Sequence, residues 1–198
     1  VDIVELDMRP EDNERQKLII PPTGYDKFQL SLRIGYEPQF TRNTLQLNRG
    51  NNTFSEISFL SGISSTDWSW SPLLADYDND GWKDLYVVAH GRNVLFRNEG
   101  QNGFRNVTEQ AGVGDGGRGS SATWGDYDED GWLDLYVVNW SCWPECNPID
   151  HNLARDTLYH NNGDGTFSDV SNLFVHEKLL GAGFAASFVD YDNDGDLD

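Results

Sequence analysis

Cysteine is nearly absent from this chain. Cys142 and Cys146 are its two cysteines among 198 residues, which excludes a disulfide-dense scaffold and leaves stability to an apolar core. Basic side chains are also scarce, with 14 Lys and Arg against 33 Asp and Glu and a net charge of -19. That balance argues against a nucleic-acid backbone or an anionic membrane surface as partner and favours cations. No stretch approaches the roughly 18 to 20 apolar residues of a membrane span. Helical heptads and alternating βα units are both missing from residues 44 to 198, which disfavours a helical solenoid and a doubly wound sheet. What is present suffices for a real core, since 37% of the residues are hydrophobic and 13% aromatic.

The acid is not spread evenly. "DYDNDGWKDLYVV" at 76 to 88 recurs as "DYDEDGWLDLYVV" at 126 to 138 and as "DYDNDGDLD" at 190 to 198. A companion motif travels with it: "TLQLNRGNNTFSEI" at 44 to 57, "VLFRNEGQNGFRNV" at 94 to 107 and "TLYHNNGDGTFSDV" at 157 to 170. Leu45 to Leu95, Phe54 to Phe104 and Asp76 to Asp126 are each 50 residues apart, whereas Leu95 to Leu158 is 63. The excess falls in "NWSCWPECNPIDHNLARD", residues 139 to 156, read as an inserted loop.

Each unit reads as four short strands, "SATWGDYD", "DLYVV", "TLYHNN" and "TFSDV", punctuated by Gly, Asn and Asp turns. Four strands in about fifty residues is the size of one propeller blade. The expected fold is all-β, with about three blades of four antiparallel strands forming a fragment of a longer propeller whose remaining blades belong to the same chain. Residues 1 to 6 align with the "DLYVV" that ends a preceding acidic motif, 7 to 43 form an insertion, and 44 to 198 carry the repeats. Within the insertion "EDNERQKL" suits a short helix. "KFQLSLRI" alternates like a strand, yet Phe28 and Leu32 also share a helix face.

Alternate aspartates in a tight turn suggest a metal loop. Asp76, Asp78 and Asp80 lie on every second residue, Gly81 permits a sharp turn, and Asp84 returns from the next strand. Carboxylates so close repel unless a cation neutralises them. Ca²⁺ suits such a set because it takes six to eight oxygens in irregular geometry, with the carbonyl of Trp82 and water completing the ring. Asp126, Asp128, Asp130, Asp134 and the Trp132 carbonyl make the second candidate site. Asp190, Asp192, Asp194, Asp196 and Asp198 make the third, and Asp2 is the last ligand of another. An EF-hand is excluded, because its loop needs Glu at position twelve and a following helix, where this chain has Val87 and Val137 in β-branched runs. Asp and Gly also form turns without any ion. Three copies in register with a second motif weigh against that alternative.

The paired motifs resemble the FG-GAP and VCBS repeats of calcium-binding β-propellers, a family that includes integrin α-chain heads and the cartilage acidic protein family with its bacterial relatives. The resemblance covers residues 44 to 198, and the segment before it is similar to an insertion of bacterial members. The Phe-Gly and Gly-Ala-Pro signatures are replaced by "GRGSSATWGDYD" and "GAGFAASFVDYD". The resemblance implies Ca²⁺ as the cofactor, a secreted or cell-surface location, and a role in adhesion or in binding protein or carbohydrate.

Other residues bear on the choice between functions. Cys142 and Cys146 suit a small disulfide in an exposed loop or a free pair, and their spacing to His151 and His160 matches no standard zinc pattern. His90, His151, His160 and His176 show no nucleophile at a recognisable spacing and read as ordinary loop or strand positions. Trp68, Trp70 and Trp124 read as core, while Trp140 and Trp143 suit either a ligand platform or packing. With no catalytic residue pair set apart from the loops, the expectation is a non-enzymatic binding propeller. The alternatives are the propeller scaffold of a polysaccharide lyase or hydrolase, and a structural spacer.

Overall fold

A computed structural model describes residues 2–10, 12, 14, 25–36, 41–140, 155–173 and 183–197. The chain forms two compact units, Val1–Ser69 and Trp70–Asp198. In the first, β1 (Ile3–Glu5), β2 (Thr44–Asn48) and β3 (Phe54–Glu56) make an antiparallel sheet in the order β1-β2-β3. The second holds two four-stranded sheets. One runs β4 (Ser69–Ala75), β5 (Asp84–Ala89), β6 (Val94–Asn98) and β7 (Phe104–Asn106) in chain order. The other repeats it with β8 (Gly119–Gly125), β9 (Asp134–Asn139), β10 (Thr157–Asn161) and β11 (Phe167–Asp169).

Equivalent pairs keep one register: Val4 faces Leu45, Tyr86 faces Leu95 and Tyr136 faces Leu158. The chain is therefore all-β in the pattern of propeller blades, and β1 pairs with β2 in the register that β5 keeps with β6 and β9 with β10. Among the described residues the first sheet has three strands rather than four.

The "DLYVV" run explains the core. All six residues of β5 are buried, as suits an inner strand covered on both faces. Tyr86, Val88, Leu95, Val107 and Val113 of one sheet and its flank meet Ala122, Leu135, Val137, Tyr159 and Phe167 of the other in one apolar cluster. Trp124 packs against it, stacked on Tyr77 at 6.3 Å and edge-on to Tyr86 at 6.0 Å. Trp68 and Trp70 depart from the expectation of core positions, being 45% and 58% exposed, because Trp70 falls on an outward phase of β4. "KFQLSLRI" resolves as helix, α1 (Tyr25–Arg33), so the four-residue spacing prevails over the alternation. Residues 183–197 form no strand. Phe188 nonetheless packs edge-on to Tyr136 at 6.4 Å.

One position fixes where the insertions leave each sheet. Asn43 Oδ1 accepts from Asp7 N at 2.7 Å, Asn93 Oδ1 from Ala89 N at 2.9 Å and Asp156 Oδ1 from Asn139 N at 2.7 Å. Each bond joins the end of the "DLYVV" strand to the residue before the next strand. Three residues lie between the partners in the short copy, whereas the two insertions occupy the same connection in their own sheets. The acidic loops sit at the opposite end of that strand.

Candidate metal loops

The three acidic loops share one backbone. Asn79, Glu129 and Asn193 adopt φ of 56°, 58° and 62°, and Gly81, Gly131 and Gly195 follow at 92°, 90° and 107°. The left-handed region is sterically costly for a residue with Cβ and cheap for glycine, so D-x-D-x-D-G is a conformational signature as well as a charge pattern. The first carboxylate staples the turn. Asp76 accepts from Asp80 N at 3.0 Å and Gly81 N at 2.9 Å, Asp126 from Asp130 N at 3.0 Å and Gly131 N at 2.9 Å, and Asp190 from Gly195 N at 3.2 Å. The third carboxylate caps the residue two positions on, Asp80 with Trp82 N at 2.9 Å and Asp130 with Trp132 N at 2.8 Å.

The returning aspartate closes the loop from beneath. Asp84 is 1% exposed and Asp134 fully buried. Asp84 Oδ1 accepts from Asn98 N at 2.8 Å and its Oδ2 from Tyr77 N at 3.3 Å; Asp134 repeats both bonds with Asn161 N at 2.8 Å and Tyr127 N at 3.2 Å. Asp2 takes the equivalent bond from Asn48 N at 2.8 Å. The Asn of the companion motif is thereby explained. Its N–H holds the last aspartate, its carbonyl oxygen accepts from the N–H of Gly50, Gly100 or Gly163, and its amide in two copies donates to Lys83 O or Leu133 O. The turn glycine has its own task. A Cβ on Gly163 would lie 2.9 Å from the Trp132 indole nitrogen, and one on Gly100 would lie 3.3 Å from the Trp82 ring. The two motifs move together in sequence because they are one hydrogen-bonded unit.

Donor oxygens converge in each loop. One ligand atom each of Asp76, Asp78 and Asp84 lies within 4.8 Å of the others, as do those of Asp126, Asp128 and Asp130, of Asp190, Asp192 and Asp194, and of Asp128, Asp134 and His160. Crowded and desolvated carboxylates resist ionisation. Burial pushes the Asp84 carboxyl up to about 7, against the Asn98 hydrogen bond that favours its charge. Burial raises Asp78 and Asp134 as well, opposed chiefly by Arg97 at Asp78 and by the Asn161 N–H at Asp134.

Nitrogen groups from the neighbouring strand enter two of the loops. Arg97 Nε is 2.6 Å from Asp78 Oδ2, and another of its nitrogens is 3.0 Å from Asp80 Oδ2. His160 Nδ1 is 3.2 Å from Asp128 Oδ2 and 3.4 Å from Asp134 Oδ1. Sequence reasoning places His160 among ordinary strand positions and is silent on Arg97. Both stand one residue before the companion Asn, a place that reaches the loop only through the pairing of β6 with β5 and of β10 with β9.

Of the side chains expected in the first two loops, the structure groups Asp76, Asp78 and Asp84 in one and Asp126, Asp128 and Asp130 in the other; Asp80 stands outside the first group, and Asp134 joins Asp128 and His160 instead. Trp82 and Trp132 follow the loop glycines, with their N–H groups on Asp80 and Asp130. In the third loop Asp196 donates its N–H to Asp194 at 3.3 Å, while Asp198 lies outside the described residues. Cys142, Cys146, Trp143, His151 and His176 lie outside them too. Trp140 is half-buried, and its N–H donates to Arg118 O at 2.8 Å. A polar cavity of about 290 Å³ opens beside the first two loops, lined by Tyr77, Asp78, Arg105, Gln110, Trp132 and Asp164 among others. No helix among the described residues is long and apolar enough to cross a membrane.

Comparison with known proteins agrees with the repeat. No curated protein matches the chain. The FG-GAP-like repeat matches residues 34–87, 76–137 and 149–198, which together span more than half the sequence and enclose the three acidic loops. With its blade-like sheets, shared loop backbone and companion turns, the chain belongs to the FG-GAP-like repeat family.

Proposed function

We propose that this chain is a calcium-binding, non-enzymatic propeller segment of a secreted or cell-surface protein, used for adhesion or for binding a protein or carbohydrate partner. The observation that carries the reading is the loop geometry. In both complete loops the backbone is set by the first, third and last aspartates, yet ligand oxygens still converge within 4.8 Å without enough positive charge beside them. The donors of the first loop are all carboxylate, and hard oxygen donors in irregular geometry fit Ca²⁺. Asp76, Asp78, Asp80 and Asp84 would hold one ion, and Asp126, Asp128, Asp130 and Asp134 another. The ion supplies charge neutralisation, and the chain's own groups supply the order of the loop. Rigid loops at one end of each sheet leave the opposite connections, where the insertions depart, for partner recognition.

Extracellular calcium modules bind at about 10⁻⁴ to 10⁻³ M. Each occupied loop should then add about 1 kcal/mol at millimolar calcium. Thermal unfolding in chelator and in millimolar calcium tests the reading. A melting temperature that rises with calcium and not with added sodium supports it, and identical curves would refute it.

A further inference from the structure

The first two acidic loops differ in one neighbour. The fourth residue of β6 is Arg97 and the fourth residue of β10 is His160. Both reach the oxygens of the loop beside them. Arg97 holds Asp78 at 2.6 Å and Asp80 at 3.0 Å, two side chains that the calcium reading assigns to the ion. A guanidinium stays charged at any accessible pH and has no lone pair to offer a metal. A divalent ion entering this loop must either displace Arg97 from Asp78 and Asp80 or sit against its positive charge. His160 approaches Asp128 and Asp134 at 3.2 and 3.4 Å, and its imidazole, unlike a guanidinium, can turn a nitrogen lone pair toward a metal, its ligand atom lying within 4.8 Å of theirs.

Resting on the reading of these loops as divalent-cation sites, we propose that Arg97 is a built-in counter-ion that competes with the metal at the Asp76–Asp84 loop, whereas His160 leaves the Asp126–Asp134 loop open to it. The two loops are then unequal, the second filling first and the first staying ordered without metal.

Tb³⁺ luminescence excited through tryptophan reports binding in the full chain, and removing one loop at a time resolves the sites. The Asp128→Ala variant reports on the first loop and Asp78→Ala on the second, with Ca²⁺ added as competitor. The second loop is expected to saturate at a concentration about tenfold or more lower than the first, the scale set by a unit charge beside a divalent ion. In the Asp128→Ala background, Arg97→Gln should tighten the first loop about tenfold, and in the Asp78→Ala background His160→Arg should weaken the second by a similar factor. Melting in chelator gives a metal-free readout: Arg97→Gln should lower the melting temperature there, and the loss should shrink in saturating calcium. Loops that fill together, or a first loop unchanged or weakened by Arg97→Gln, would overturn the proposal. Absence of Tb³⁺ and Ca²⁺ binding at both loops would overturn the metal reading itself, and this inference with it.

Discussion

Replacing Asp134 separates the structural work of the returning aspartate from any role at a metal. Its side chain is fully buried, and its two oxygens accept from Asn161 N at 2.8 Å and Tyr127 N at 3.2 Å. Asp134→Ala strands the buried Asn161 amide and the partly buried Tyr127 amide. Each unsatisfied buried group costs about 1 to 3 kcal/mol, and partial relaxation at the longer bond puts the total at roughly 3 kcal/mol. For a chain of this size that corresponds to about 6 to 12 °C in melting temperature. The loss should appear in full in chelator, where no ion contributes. Asp130→Ala is the control: Asp130 is exposed and holds one local bond to Trp132 N, so in chelator it should cost under about 1 kcal/mol. Urea titrations followed by tryptophan fluorescence measure both. An Asp134→Ala protein within about 1 kcal/mol of the parent in chelator would refute the claim that this carboxylate anchors the fold.

Two further outcomes follow from single positions. Glu129 occupies φ 58° where the other loops place Asn79 and Asn193, and Asn tolerates the left-handed region better, so Glu129→Asn should stabilise by about 0.5 to 1 kcal/mol in denaturant titration. Asp156 stands where the other copies have Asn43 and Asn93. Burial raises its pKa, opposed by hydrogen bonds from Asn139 N and Tyr136 Oη. A carboxyl whose folded pKa exceeds its unfolded value contributes most stability below the unfolded pKa and loses it as pH rises through the folded pKa. The parent should therefore gain stability relative to Asp156→Asn on acidification toward the ordinary carboxylate range and lose that gain above it. A stability difference between the two proteins that stays flat with pH would refute this.

The blades were legible because strand periodicity and the fifty-residue spacing both survive in the sequence. "DLYVV" announces a strand, and the Asp spacing with its glycine announces the loop. The partners of those aspartates were not legible. Whether Arg97 or His160 reaches a loop depends on the register between β6 and β5 or between β10 and β9, a long-range relation that local pattern does not encode. The backbone N–H groups of Asn98 and Asn161 are invisible to side-chain reasoning for the same reason. The roles of Asn43, Asn93 and Asp156 were open to detection, since they recur at fixed distance before the companion strand, but Asn before a strand reads as ordinary turn chemistry. In "KFQLSLRI" the alternation and the Phe28 and Leu32 spacing fit two structures equally, and local pattern cannot choose between them. Trp70 shows that an aromatic on a blade strand is core only on the phase that faces a neighbour.

Calcium titration by isothermal calorimetry tests the central claim most directly. The parent chain should take up calcium at the Asp76–Asp84 and Asp126–Asp134 loops with affinities of about 10⁻⁴ to 10⁻³ M. Asp78→Ala should remove the first uptake, Asp128→Ala the second, and the double variant both. No heat of binding in the parent, or the same uptake in the double variant, would contradict the account.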